Sequence, residues 1–312
     1  MKAAQISKYG SNEVVEINEN APKPAVAAGK LVVEIYAAGV NPIDWKVREG
    51  YMQKFVPLNF PVTLGGDFSG VVTEIGEGIS EFMKGDEIYG HGSVLGGGSG
   101  TFAEFASVDT KTIAHKPKKI SHVEAAALPL AETSALQALT DHIGISNGKK
   151  ILIHGGGGGI GTVAVQLAKH LEAYVAATAS GRDLQAVRDL GANEAIDYKN
   201  QSFESMLNGY DAVFDTFGGE GYVKSFKVLK KGGIIVSMVE QPRTELMQQY
   251  GVTAIAQSTH VTSERLSKLA ELVDSRAIKV QIDKTFSLEQ IREALAHVQT
   301  GHPRGKVVLK IK

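Results

Sequence analysis

Gly156, Gly158 and Gly161 stand at G-x-G-x-x-G spacing within ILIHGGGGGIGTVAVQLAK, residues 151–169. An apolar run precedes them. Beyond them Ile160, Val163, Ala164, Leu167, Ala168 and Leu171 recur at the spacing of one helix face, which predicts a helix starting at or just before Ile160. Strand, glycine loop and helix N-terminus together suit a pyrophosphate. One glycine permits a tight turn, the next lets phosphate approach the backbone, and the third lets helix pack on strand. The helix end adds free N–H groups and a partial positive charge. A flexible linker would not lie inside one strand–helix unit. Gly156, Gly158, Gly159, Ile160 and Gly161 are therefore expected to hold a dinucleotide.

The following strand indicates which one. An NAD site usually places Asp or Glu about 20 residues on, to bind the ribose 2′-hydroxyl. Here AATASGRD, residues 176–183, has Thr178, Ala179 and Ser180 instead. Asp183 comes too late, and Ser180-x-x-Asp183 reads as a helix capping box. Arg182 then falls in a first helical turn, where a cation opposes the helix dipole by about 0.3–1 kcal/mol. A 2′-phosphate would reverse that penalty. Thr178, Ser180 and Arg182 thus favour NADPH over NADH.

These elements must be positioned by a larger scaffold, and the 312 residues suffice for two domains. With 43% hydrophobic and 21% charged residues a full core can form. The net charge of −1 and the absence of a basic stripe argue against nucleic acid as a partner. There is no cysteine, which removes disulfides, thiol nucleophiles and thiolate metal sites together. No apolar run nears the roughly 20 residues that span a bilayer. The N-terminal stretch alternates like a strand and lacks the apolar core of a signal peptide, so a cytoplasmic protein is expected.

The first third carries short β patterns at 30–39, 69–76, 86–91 and 101–109, broken by Gly and Pro, which suggests an antiparallel barrel. Helical patterns at 123–127 and 130–142 lead into strand–helix alternation. Strands are expected at 150–154, 173–178, 194–198, 210–216, 233–239 and 252–258, with helices at 160–171, 184–190 and 222–229. Short apolar strands between helices indicate a parallel sheet covered on both faces. The tail reads as a helix at 263–276, a strand at 280–286, a helix at 288–298 and the strand GKVVLKI. One domain is inserted into another: 1–122 with 262–312, and 123–261.

The landmarks AAGVNPIDWK (37–46), GGDFSGVVTEIGEGISEFMKGDEIYG (65–90), GTFAEFASVD, AALPLAETSALQAL, the glycine loop with VAVQLAK, and GHPRGKVVL follow one another in order. In this the chain resembles the medium-chain dehydrogenases/reductases along nearly its whole length, specifically their zinc-free quinone oxidoreductase and enone reductase branch. The resemblance implies an α/β fold, a GroES-like β-rich barrel domain with an inserted doubly wound Rossmann domain. Asn41 stands where the alcohol dehydrogenases of the superfamily carry their first zinc-ligand cysteine, and Gly66-Asp67 where they carry His-Glu. His91 and His115 without thiolates do not make a conventional catalytic zinc site, so no metal is expected.

The resemblance also implies further contacts. Asn41 would lie beside the nicotinamide, although Asn41-Pro42-Ile43-Asp44 also reads as a helix cap. Lys46 would meet the nicotinamide ribose or polarise the acceptor carbonyl, and Tyr51 could donate a proton. Trp45 and Phe60 are candidates for the apolar wall of an acceptor pocket, with His260 lining the cleft; core packing is the alternative for the aromatics. Thr133 would face the cofactor and Tyr198 its adenosine half. Phe217, Gly218, Met238 and Val239, at the carboxyl ends of two strands, would meet ribose and nicotinamide. Lys306 would lie near the phosphates.

Without a Lewis acid to stabilise an alkoxide, alcohol oxidation is hard. Hydride delivery to a conjugated acceptor is easier, because charge spreads into a hydroquinone anion or an enolate. The expected protein is an NADPH-dependent, zinc-independent reductase of quinones. Reduction of the C=C bond of α,β-unsaturated carbonyls is the alternative, and a non-catalytic NADPH-binding protein is the reading from another class. A homodimer pairing through the sheet edge near 252–258 is expected.

Overall fold

The computed structural model describes residues 1–312. The chain forms two compact units. The first comprises Met1–Ala131, Val261–Ser275 and Val280–Lys312; the second comprises Glu132–His260 and Arg276–Lys279.

The first unit is rich in antiparallel strands. In chain order it holds β1 (Ala3–Ile6), β2 (Val15–Asn18), β3 (Lys30–Val40), α1 (Pro42–Arg48), β4 (Val62–Thr63), β5 (Asp67–Ile75), β6 (Glu87–His91), β7 (Phe105–Asp109), β8 (Ile113–His115) and α2 (His122–Ala126). Seven strands join in one sheet: β3 pairs antiparallel with β5 and β7, β5 with β6, and β6 with β8, and two strands from the chain's end, Ile282–Ser287 and Lys306–Lys310, complete it beside β3. β1, β2 and β4 make a smaller sheet. Alternate β3 residues Leu31, Val33 and Ile35 are buried in one core with Phe68, Ile88 and Phe102, as the period of two requires.

α3 (Pro129–Leu136) and a π-helical turn (Gln137–His142) lead to the second unit. There follow β9 (Lys150–Ile153), α4 (Gly159–His170), β10 (Tyr174–Ala179), α5 (Leu184–Asp189), β11 (Glu194–Asp197), α6 (Phe203–Met206), β12 (Tyr210–Asp215), α7 (Glu220–Ser225), β13 (Leu229–Ser237), α8 (Thr244–Tyr250) and β14 (Thr253–Ala256). The sheet order is β11-β10-β9-β12-β13-β14, and every pairing is parallel. This is the doubly wound Rossmann order, whose switch point lies between β9 and β12. The chain closes with α9 (Ser263–Asp274), β15 (Ile282–Ser287), α10 (Ile291–Gln299) and β16 (Lys306–Lys310), which pairs antiparallel with β3.

Two boundaries differ from expectation. Residues 123–131 belong to the first unit, because Ala126 and Ala127 pack against Ala37 of β3 and Val308 of β16. Residues 276–279 belong to the second, where Gln166 of α4 bonds both the N–H and the carbonyl of Lys279, at 2.9 and 3.0 Å. The helix expected over 222–229 stops at Ser225, and Leu229 already begins β13. No helix is long and apolar enough to cross a membrane.

Candidate active site

In the second unit the chain leaves β9 and turns at Gly155, whose φ of +71° suits glycine. The sharp turn thus falls one residue before the three motif glycines. A Cβ on Gly156 would lie 2.9 Å from the Ala177 methyl of β10, and one on Gly161 would run into the Gly155 carbonyl. Both are packing glycines. Gly158 is different: the nearest atom to a Cβ there is 3.4 Å away. Gly158 is the N-cap of α4, and no side chain caps that helix. The first-turn N–H groups at Gly159, Ile160 and Gly161 are left for an anion.

The loop is held from beneath. Gly155 N–H donates to Thr178 Oγ1 at 3.2 Å, and Thr178 donates to His154 Nδ1 at 3.1 Å. His154 Nε2–H donates to Ser225 Oγ at 2.7 Å, and Ser225 donates to the Gly221 carbonyl at 2.7 Å. A carbonyl cannot donate, so the direction of the whole chain and the histidine tautomer follow. Burial pushes the His154 pKa down to about 4, against the pull of Asp215. Thr178, expected at the cofactor site, lines the cavity at the strand ends while its hydroxyl braces the loop.

The loops after β12 and β13 are tied together by Asp215, which the sequence reading missed. Its Oδ1 accepts the N–H groups of Phe217 and Gly218 at 3.1 and 2.9 Å. Its Oδ2 accepts Ser237 Oγ–H at 2.6 Å, and Ser237 Oγ in turn accepts the Val239 N–H at 3.2 Å. The result leaves Phe217 74% and Val239 52% exposed at the strand ends, with Gly218 at φ +82° between them and the Glu240 carboxylate. Met238 is half-buried, its Sδ accepting from Gln257 at 3.5 Å. An acid closing an apolar strand, as in AVFDT, is the signal that could have found Asp215.

A cavity of about 480 Å³ opens at these strand ends, lined by Gly155, Thr178, Tyr198, Lys199, Gly218 and Lys224 among others. Tyr198 is exposed at the end of β11. Ser180 bonds the Asp183 carboxylate, and Arg182 lies in a 3-10 turn before α5 rather than in its first turn, with Nε 3.5 Å from Asp183. Two buried oxygens in this unit, Thr133 Oγ1 and Gln257 Oε1, have no partner. An unmet buried group costs about 1–3 kcal/mol. Uncapped N–H groups, open space beside Gly158 and the Arg182 cation beside Ser180 fit a dinucleotide phosphate.

In the first unit, β3 delivers Asn41 to the start of α1. The Asn41 N–H donates to Asp44 Oδ2 at 2.7 Å, within the expected capping box. The Asn41 side chain donates from Nδ2 to Asp67 Oδ2 at 2.8 Å and accepts at Oδ1 from Lys306. Lys306, expected beside phosphates, is thus buried against Asn41. Asp67 is fully buried and also accepts His91 Nδ1 at 2.8 Å and the Leu130 N–H at 3.1 Å. Burial raises the Asp44 pKa to about 7, with the charge of Asp67 adding to it, while the Asn41 N–H and Lys306 oppose.

α1 carries Trp45 and Lys46 side by side, the Lys46 ammonium 5.7 Å from the indole centroid. Tyr51 is 63% exposed and meets Trp45 edge-to-face at 5.8 Å. Phe60 is committed elsewhere, edge-to-face with Tyr9 at 4.9 Å and against the core. His260 is exposed at the end of the second unit, its N–H donating to Gln137.

The donors in the first unit do not fit a zinc ion. No three His, Cys, Asp or Glu side chains gather as ligands. A Cβ on Gly66 would run into the His91 ring, so the histidine occupies the space a ligand there would need.

Two family profiles match the chain: one described as the alcohol dehydrogenase GroES-like domain over residues 27–118, the other as zinc-binding dehydrogenase over residues 190–309. A 2-methylene-furan-3-one reductase of Solanum lycopersicum is 37% identical, over 99% of this chain and 79% of that protein. A chloroplastic NADPH-dependent alkenal/one oxidoreductase of Arabidopsis thaliana is 35% identical, again over 99% and 79%. The solved structure of the quinone oxidoreductase from Coxiella burnetii superposes with a TM-score of 0.92 at 33% identity, covering 100% of this chain and 99% of that one.

Proposed function

This chain belongs to the medium-chain dehydrogenases/reductases, in their zinc-free quinone oxidoreductase and enone reductase branch, and on that premise we propose that it reduces a quinone with NADPH. The observation that carries the reading is the glycine-cradled, uncapped N-terminus of α4 at the sheet's switch point. Bound NADPH would supply hydride from C4 of its reduced nicotinamide.

The chain's own residues bind and orient. Gly158, Gly159, Ile160 and Gly161 receive the pyrophosphate, with Gly156 allowing the loop to close. Ser180 and Arg182 meet the 2′-phosphate and Tyr198 the adenosine. The loops held by Asp215 and Ser237 bring Phe217, Gly218, Met238 and Val239 to the ribose and nicotinamide, and Thr133 offers its unmet hydroxyl. Asn41 meets the nicotinamide. Lys46 stabilises the oxygen on which negative charge develops, acting as a preorganised cation. Trp45 and Tyr51 form a flat wall, and Tyr51 or water returns the proton. Orientation and exclusion of water supply the acceleration, without a covalent intermediate.

Reduction of an enone C=C bond is the second reading, since it needs the same hydride geometry and two relatives are named for such acceptors. A cytoplasmic homodimer belongs to the proposal too; β14 is one of the two edge strands of the parallel sheet. Anaerobic NADPH oxidation by chelator-treated protein, with a quinone and a short alkenone tested separately and products identified, decides among the readings. Hydroquinone formation that tolerates chelator supports the proposal. Saturated ketone alone moves the assignment to the enone. Tight NADPH binding with neither product assigns a binding protein.

A further inference from the structure

β16 pairs with β3 so that Val307 lies opposite Val40, which sets Lys306 across from Asn41, 265 residues away in sequence. The register has little freedom to slip. Gly305 has φ +91°, and a Cβ there would run into the Gln281 carbonyl. The buried Lys306 ammonium donates to Asn41 Oδ1, while Asn41 Nδ2 donates to the buried Asp67 carboxylate at 2.8 Å.

The two ends of a carboxamide are alike in shape and opposite in hydrogen-bond sense. Between an ammonium and a carboxylate only one orientation is allowed. Reversed, the NH₂ would face the ammonium and the oxygen would face the carboxylate. In the allowed orientation Asn41 keeps one N–H for a further partner.

We propose that Lys306 is a positioning residue that locks the Asn41 carboxamide in one orientation for the nicotinamide. The inference rests on the reading that Asn41 meets that ring. Lys306 acts through Asn41, not on the acceptor or the phosphates.

A double-mutant cycle tests it in the full chain, with N41A, K306M and N41A/K306M. NADPH affinity is read by fluorescence and hydride transfer to a quinone by single turnover. K306M slows transfer about tenfold or more, the loss of one charge-assisted hydrogen bond. NADPH affinity changes by less than about threefold. K306M costs nothing further once Asn41 is gone. An undiminished loss in the N41A background overturns the proposal. If N41A alone leaves transfer unchanged, the reading of Asn41 falls instead. The cofactor-free protein gives a separate readout. Nitrogen-15 spectra should show one sharp Asn41 carboxamide pair in the wild type and in K306R, split or exchange-broadened in K306M. A sharp, single pair in K306M overturns the lock itself.

Discussion

Thr178 Oγ1 lies 3.1 Å from His154 Nδ1, so the hydroxyl at the end of β10 supports the glycine loop from below. T178V keeps the shape and removes that hydroxyl, stranding the Gly155 N–H and the histidine nitrogen. Stability should fall by about 2 kcal/mol, with T178S near wild type. Urea unfolding with unchanged m measures it; a T178V midpoint equal to wild type contradicts the bond chain.

His154 and Asp44 should oppose each other as pH changes. The His154 pKa is lowered to about 4, so in that range the unfolded chain binds more protons. Stability from His154 is present above the unfolded value of 6.5 and is lost as pH falls towards about 4. The loss is on the order of 3 kcal/mol. Asp44 is raised from 3.8 to about 7, so its contribution is present below the unfolded value and is lost as pH rises through about 7.

The wild-type protein therefore shows a flattened stability profile between about pH 4 and 7. D44N keeps an oxygen for the Asn41 N–H and removes the charge. Its stability should rise steadily with pH across that window, measured by urea melts at pH steps. A D44N profile parallel to wild type would mean that Asp44 does not titrate there.

Gly161 and Gly158 should separate packing from binding. G161A drives a methyl into the Gly155 carbonyl and should cost about 1–3 kcal/mol. G158A meets nothing closer than 3.4 Å, so the fold should hold while NADPH affinity drops. Calorimetric titration beside thermal melts distinguishes the two. Equal melting losses would place Gly158 among the packing residues.

Arg182 is 57% exposed in its side chain and adjoins Ser180. R182A should weaken NADPH about tenfold, the value of one charge-assisted contact to phosphate, and leave NADH affinity nearly unchanged. Equal weakening of both cofactors would remove the 2′-phosphate role.

Much of the fold was legible because its signals are local. Alternating residues in β3, the helical spacing of α4, and the series of short apolar strands each depend on neighbours within about two turns of chain. The errors fell where locality ends. Residues 123–131 look like a lead-in to the parallel sheet, yet their alanines are sized to pack between β3 and β16. Asp215 went unread because its value lies in the backbone it gathers, not in its spacing from any motif.

The sequence by itself determined the glycine loop, the missing acid after β10 and the absence of thiolate ligands, because each is a matter of residue type at short range. Only the tertiary structure decided that Thr178 faces down into the loop, that Phe60 is spent on Tyr9, and that Lys306 meets Asn41. Those outcomes depend on strand register and burial. Both are settled by pairing residues far apart in the chain, and a one-residue slip would turn every such side chain to the other face.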